Sequence, residues 1–185
     1  MNAPLPAHVT RQAQAHEHKD SHHNTYNQVS RSSNEVAGRL AARLTSETQG
    51  EVLFSAADKG RYATDASIYQ SLPTGVFVPR SSADVALALE ICRDLGVPIV
   101  ARGGGTSQCG QTVGAGLVID HSKFVRNILA VDAAERTAVV EPGLVLDHLN
   151  ANLKKHGLWY PVDVSTSGQA TLGGMAGNNS CGSRS

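Results

Sequence analysis

The run Ile99-Val-Ala-Arg-Gly-Gly-Gly-Thr-Ser-Gln-Cys-Gly-Gln111 carries an apolar segment straight into a cluster of bare backbone amides. Gly103, Gly104 and Gly105 place no Cβ between their N–H groups and a ligand, so successive amides can face one concavity and bind an anion. Arg102 adds a fixed positive charge with a donor fork. Thr106 and Ser107 add hydroxyl donors, and Gly110 and Gln111 continue the same wall. The chemistry on offer is retention of a phosphate or diphosphate. The plainer reading of the same residues is a tight glycine turn between strands.

Two familiar phosphate motifs can be tested against this loop, and neither fits. A G-x-G-x-x-G dinucleotide fingerprint begins at Gly103 and Gly105 but meets Gln108 where the third glycine should stand. A P-loop would use Gly105, Gly110 and Thr112, yet Gln111 occupies the lysine position. The following residues, Val113 to Asp120, read as a glycine-broken strand where a P-loop requires a helix.

A second segment of the same character begins after Trp159, Tyr160 and Pro161. Asp163-Val-Ser-Thr-Ser-Gly168 leads into Ala170-Thr-Leu-Gly-Gly-Met-Ala-Gly-Asn-Asn-Ser-Cys-Gly182. Gly173, Gly174, Gly177 and Gly182 expose backbone, while Thr171, Asn178, Asn179 and Ser180 supply neutral donors and acceptors. Two such segments, both poor in charge, suit a large cofactor held along its length by backbone contacts.

The elements that must position these loops can be read from periodicity. Asn34 is placed to cap a helix with Val36, Ala37, Leu40, Ala41 and Leu44 on one face. A polar connection follows. Val76 to Pro79 reads as a strand, and a helix starts at Ser82 with Val85, Ala88, Leu89, Cys92 and Leu95 as its buried stripe and Gly96 as its stop. The strand Val97 to Ala101 completes a strand–helix–strand unit, which favours a parallel pair and delivers the Arg102 loop to the carboxyl end of a strand. Leu117 to Asp120, Ile128 to Val131 and Thr137 to Glu141 are short β-like runs, with Asp132 to Arg136 as a hairpin connection. A helix is expected from about Leu144 to His156, ending at Gly157. His148 and His156 read as exposed helix residues, and His121 as part of a polar turn.

Length and composition bound the class. The 185 residues suit one domain, and 16 basic residues against 16 acidic ones give no broad attraction to nucleic acid or to a membrane surface. No apolar run approaches the roughly 20 residues of a membrane-spanning helix, and the first residues do not read as a signal peptide. Cys92, Cys109 and Cys181 are an odd number without a C-x-x-C pair, which argues against a disulfide framework or a zinc site and for a reducing compartment. The cytoplasm is therefore the expected location, with attachment at the inner membrane through a partner left open. Residues 1–33 hold His8, His16, His18, His22 and His23 and lack apolar periodicity, so they read as a disordered tail. Those histidines have neither helical spacing nor accompanying cysteines, and no metal site is read from them.

Together the Arg102 to Gln111 run, the Val140-Glu-Pro-Gly143 segment with Leu146 to Asn150, and the Asp163 to Gly182 run resemble the FAD-binding domain of the vanillyl-alcohol oxidase / p-cresol methylhydroxylase (PCMH-type) flavoproteins. The likeness is strongest to D-lactate and D-2-hydroxyglutarate dehydrogenases that carry an iron–sulfur region after the flavin part. Arg61-Tyr-Ala-Thr-Asp-Ala-Ser-Ile-Tyr69 and Pro73 to Arg80 extend the match, so that it covers residues 34–185. The resemblance implies an α+β fold, a small parallel α/β subdomain followed by an incomplete, mainly antiparallel α+β subdomain, with FAD between them. It implies that Arg102 to Ser107 hold the diphosphate, that Gly110 and Gln111 continue that wall, and that Pro161, Asp163 and Thr171 to Gly182 line the ribityl and isoalloxazine side. Some relatives carry a histidine in the glycine loop that bonds to the flavin. Gly105-Thr106-Ser107 stands there in this chain, so the FAD is expected to be non-covalent.

The reaction implied is oxidation of a D-2-hydroxy acid to the 2-oxo acid, with electrons passing from FAD to an acceptor. Relatives continue beyond the second glycine segment with a substrate cap, the catalytic residues and, in some, the iron–sulfur region, so no catalytic residue is assigned here. The same cofactor site would serve an oxidase of the same fold acting on another alcohol or a sugar, or a non-catalytic nucleotide-binding fragment. The 185-residue chain is expected to be an N-terminal fragment that does not turn over D-lactate or D-2-hydroxyglutarate. A steady-state assay with an artificial electron acceptor checks this, and sustained turnover would refute it.

Overall fold

Strand β2 (Gly75–Val78) is Gly-Val-Phe-Val and strand β4 (Leu117–Asp120) is Leu-Val-Ile-Asp, and every residue of both is buried. Such runs have no polar face to give to water, and they take the centre of a sheet covered on both sides. In the computed structural model, which describes residues 33–180, β2 and β4 are the inner strands of a four-stranded sheet. Its order is β1-β2-β4-β3, with β1 at Glu51–Leu53 and β3 at Ile99–Arg102. β1 runs antiparallel to β2, whereas β2 and β3 both run parallel to β4.

This arrangement corrects the sequence reading in one respect. The strands before and after helix α3 (Ser82–Leu95) are not neighbours, because β4 lies between them. Leu117 to Asp120 belongs to the parallel sheet and not to the later antiparallel region. The alternation of burial along Ile-Val-Ala-Arg in β3 shows an edge strand, and the fully buried β4 takes the inner place. The connection expected to be merely polar also holds β1 and the short helix α2 (Ala56–Arg61), which Ser55 caps by accepting from Asp58 N–H.

The chain divides into two units, 1–39 and 40–185, and the account of packing concerns the second. Helix α1 covers 33–47, so Asn34 lies within it instead of capping it. Leu40 and Leu44 from α1 are fully buried. In α3 the Ser81 hydroxyl accepts from Asp84 N–H, and Gly96 ends the helix at φ 65°, the left-handed cap its position suggested. The buried face carries Asp84, Ala88, Ile91 and Cys92, while Leu89 is 45% exposed. Ile91 thus replaces Leu89 in the expected stripe. Asp84 enters the buried face because its carboxylate accepts from the backbone N–H groups of Gln49 and Arg80, each at 2.9 Å. Cys92 is core, as read, and burial pushes its thiol up to about 11.

After the sheet, β5 (Ile128–Asp132) and β6 (Thr137–Val140) form the expected hairpin. Asp132 Oδ1 accepts from the N–H groups of Ala134 and Glu135, and Arg136 takes φ 54°. Helix α4 (Leu146–Leu153) follows, and its last turn tightens to a 3-10 helix at Lys154–His156 before left-handed Gly157. It starts later than expected because Val145 is held extended in an isolated bridge to Thr171. Leu149 and Leu153 pack with Leu144 on Ile128, Val131 and Val140, whereas Leu146 packs with Ala170 and Met175. A fifth α-helix among the described residues, α5 (Leu172–Gly177), forms on Leu-Gly-Gly-Met-Ala-Gly, where the glycines gave no helical signal. Its Met175 is buried against Leu146, and that contact offsets the poor propensity. The expectation of a tail at 1–33 lies, except for residue 33, outside the described residues.

Phe77 is fully buried, with its ring against Gly50. Phe77→Ala is expected to cost about 3–5 kcal/mol in urea unfolding, through lost transfer energy and the cavity left behind.

Candidate functional site

The parallel register of β3 on β4 sets Arg102 opposite Asp120 at the carboxyl end of the sheet. Side chains two residues apart share a face, so Val118 and Asp120 face the same side, and Tyr62 covers it. Its hydroxyl donates to Asp120 Oδ2 at 2.7 Å, and Asp120 Oδ1 accepts from Ser122 N–H and Oγ. Burial, followed by the neighbouring Asp120 carboxylate, holds the Tyr62 hydroxyl well above the usual phenol range, so it stays a neutral donor. The Arg102 guanidinium lies 5.3 Å from the centre of the Tyr62 ring and donates to the Thr112 carbonyl at 3.3 Å. It folds back under its own loop, with Nη2 only 2.7 Å from where a Cβ on Gly105 would stand.

Residues 103–112 contain no helix or strand, and Gly105 and Gly110 have φ of 65° and 77°. The loop approaches the second glycine-rich segment too closely for any side chain. A Cβ on Gly103 would lie 2.0 Å from Thr171 Oγ1, and one on Gly104 would lie 2.2 Å from the Gln169 carbonyl oxygen. Gln111 Nε2 adds a hydrogen bond across to Asn178 Oδ1 at 3.0 Å, and Asn178 Nδ2 donates to Ser180 Oγ. Ser107 Oγ bonds Gln111 Oε1 and accepts from the N–H groups of Cys109 and Gln111. The second wall is stitched to the start of α4 by Leu146 N–H to Ala170 O, Leu172 N–H to Leu144 O and Gly173 N–H to Pro142 O.

Between the walls lies a cleft of about 1000 Å3. It brings together residues 102–107 and Gln111 from the first segment, and Asp163, Thr171, Gly173, Gly174, Gly177 and 178–180 from the second. Two residues named from the sequence, Gly110 and Pro161, do not line it, and Gly110 packs against the Tyr69 ring. Gly182 lies outside the described residues, as does Cys181. The structure adds His121, Pro142, Val164, Ser165 and Thr166 to the lining. His121, read from sequence as a polar turn, reaches the cleft because its N–H bonds the Arg102 carbonyl at 3.0 Å. Ser165 and Thr166 were visible as hydroxyls beside Asp163, whereas nothing local marked Pro142. The lining is mostly neutral amide, hydroxyl and bare backbone, and among the described residues Arg102 is its sole lysine or arginine.

One atom in the cleft lacks a partner. Thr171 is 2% exposed, and its Oγ1 makes no hydrogen bond among the described residues. A buried hydroxyl without a partner is costly, and a ligand that accepts its proton would offset that cost.

Residues 73–185 match the sequence model of the FAD binding domain family. The chain belongs to that family. Over 136 residues it is 40% identical to the D-2-hydroxyglutarate dehydrogenase of Pantoea ananatis, an alignment covering 72% of this chain and 13% of that protein. Glycolate oxidase subunit GlcD of Bacillus subtilis is 39% identical over 144 residues, 75% of this chain and 30% of that subunit. The chain therefore spans a minor part of the length of these relatives. Among the solved structures it resembles is p-cresol methylhydroxylase, with a TM-score of 0.59 at 18% identity over 80% of this chain and 29% of that one. Alkyldihydroxyacetonephosphate synthase aligns with a TM-score of 0.70 at 20% identity, over 77% of this chain and 32% of that one. This is the α+β PCMH-type fold expected from the motifs. An FAD-binding domain needs a long cleft with amides for a diphosphate and neutral groups for a ring system, and both the orphaned Thr171 hydroxyl and the bare backbone of Gly103, Gly104 and Gly105 fit that requirement.

Gly104→Ala is expected to push the loop away from Gln169 and to lower stability by about 1–3 kcal/mol, with the helical circular dichroism kept. Chemical unfolding checks this, and a wild-type midpoint would contradict the close contact.

Proposed function

We propose that this FAD-binding domain is the cofactor part of an oxidoreductase that converts a D-2-hydroxy acid, such as D-lactate or D-2-hydroxyglutarate, into the 2-oxo acid. The names of the relatives support the substrate class, since 2-hydroxyglutarate and glycolate are both 2-hydroxy acids. The observation that carries the cofactor reading is the buried, unpartnered Thr171 hydroxyl in a cleft whose residues belong to the matched FAD-binding family. In this reading the cofactor-binding unit is 34–185.

FAD, when bound, supplies a two-electron acceptor for the hydride leaving Cα of the hydroxy acid, while the hydroxyl proton goes to a base. The chain's own residues bind and orient. Residues 103–107 offer amides and hydroxyls to the diphosphate, and Arg102 supplies positive charge from beneath the loop. Thr171, Asn178 and Ser180 offer neutral hydrogen-bonding groups on the opposite wall. Positions 103–107 hold no histidine or cysteine, which supports non-covalent retention. Cys92 and Cys109 are free thiols, which supports a cytoplasmic enzyme that meets its electron acceptor in solution or at the inner membrane face.

The chain is expected to retain FAD through gel filtration and to release it into the supernatant on acid precipitation. Thr171→Val is expected to weaken FAD about three- to tenfold in a fluorescence titration, the loss of one hydrogen bond, without lowering the apo melting temperature. Absence of flavin retention would overturn the cofactor assignment, and flavin that stays with the acid pellet would overturn the non-covalent one. In the full-length protein, anaerobic bleaching of the flavin by D- but not L-2-hydroxy acids is the expected substrate signature.

A further inference from the structure

The residues just after α2 form a loop of their own that the cofactor reading has not used. Its base is closed by the Ser71 N–H donating to the Ala63 carbonyl at 2.9 Å and by an antiparallel bridge between Thr64 and Gln70. Its tip is fastened to the glycine loop at three places. Ala66 N–H donates to the Gly105 carbonyl at 3.1 Å, and Thr112 Oγ1 donates to Asp65 Oδ2 at 3.0 Å. The Tyr69 ring covers Gly110, with Cδ2 2.9 Å from where a Cβ would stand. Asp65 is itself aimed by the Ser67 N–H, which donates to Oδ1 at 2.9 Å.

Residues 103–112 have no ladder or helix to hold them, so ordering them costs conformational entropy at the moment of binding unless something has ordered them first. Thr112 is the place where two such restraints meet. Its hydroxyl is held by Asp65, and its carbonyl accepts from Arg102 Nη1. We infer that Asp65 is a positioning residue for diphosphate recognition: by holding Thr112 it sets the shape of the amide loop and the seat of the Arg102 guanidinium before the ligand arrives. The inference rests on the reading that residues 102–107 hold the diphosphate. Partial burial alone would raise the Asp65 carboxyl, but the bonds it accepts from Ser67 and Thr112 outweigh that and keep it below the usual carboxylate range, an ionised acceptor at neutral pH.

The test compares three ligands on the 185-residue chain: FAD, ADP and riboflavin, the last of which lacks the diphosphate. Asp65→Ala is expected to weaken FAD and ADP about tenfold each and riboflavin by less than about twofold, the scale of one lost hydrogen bond. Asp65→Asn can still accept from Ser67 N–H and can donate to Thr112 Oγ1, so it is expected to recover most of the affinity. Thr112→Val breaks the same contact from the other side and should reproduce the ligand-selective loss if Asp65→Ala does not fold. Equal weakening of all three ligands, or no weakening of FAD, overturns the positioning role. Wild-type chain that binds riboflavin as tightly as FAD overturns the diphosphate reading itself, a result distinct from wild-type preference for FAD that survives in both variants.

Discussion

The site depends on two close approaches that only glycines can make. Gly103 and Gly104 meet Thr171 and Gln169 at distances that leave no room for a Cβ, and this brings a loop from the end of β3 against the start of α5. Separating those walls by the width of a methyl group would leave two unrelated glycine-rich loops. Their contact makes a cleft, and it also buries the Thr171 oxygen away from water without a protein partner. The glycines therefore serve two ends, exposure of amides and close approach of backbone. The second is the stricter constraint, because an amide can face a ligand from many residues, but a position where a Cβ would lie 2.0 Å from another atom suits glycine alone.

Charge in the cleft is arranged sparingly. Arg102 is turned inward, over the Tyr62 ring and toward the Thr112 carbonyl, so its positive field acts from beneath the amides. Asp120 lies opposite it in the sheet but is occupied by Tyr62 and Ser122. The buried tyrosine stays protonated and keeps that carboxylate's oxygen engaged. Neutral donors around one shielded cation suit a diphosphate, since fixed dipoles in a partly dry cleft need little reorganisation when the anion enters.

Local signals were read well where the physics is local. Gly96 and Gly157 mark helix ends through their own backbone angles, and Asp132 marks a hairpin through bonds to residues two and three further on. The strands adjoining α3 were recognised, but their pairing was not, since the insertion of β4 between them depends on a contest for burial among distant segments. Ile91 takes the place expected for Leu89 and shares the buried face with Asp84, which accepts from the backbone N–H groups of the distant Gln49 and of Arg80. Helix α5 was invisible because its support is Leu146 on another helix.

The amino-acid sequence by itself determined the chemistry available: two glycine-rich segments, one arginine, neutral amides and hydroxyls, and the ordered motifs shared with FAD-binding flavoproteins. These are properties of residue type and spacing, and they need no neighbour to be read. Tertiary structure alone decided that the two segments face each other, that Arg102 points inward, that Gly110 and Pro161 stand outside the cleft while His121 lines it, and that Asp65 holds Thr112. Each of those outcomes is set by packing between residues tens of positions apart, where burial and steric exclusion, and not local propensity, choose the partner.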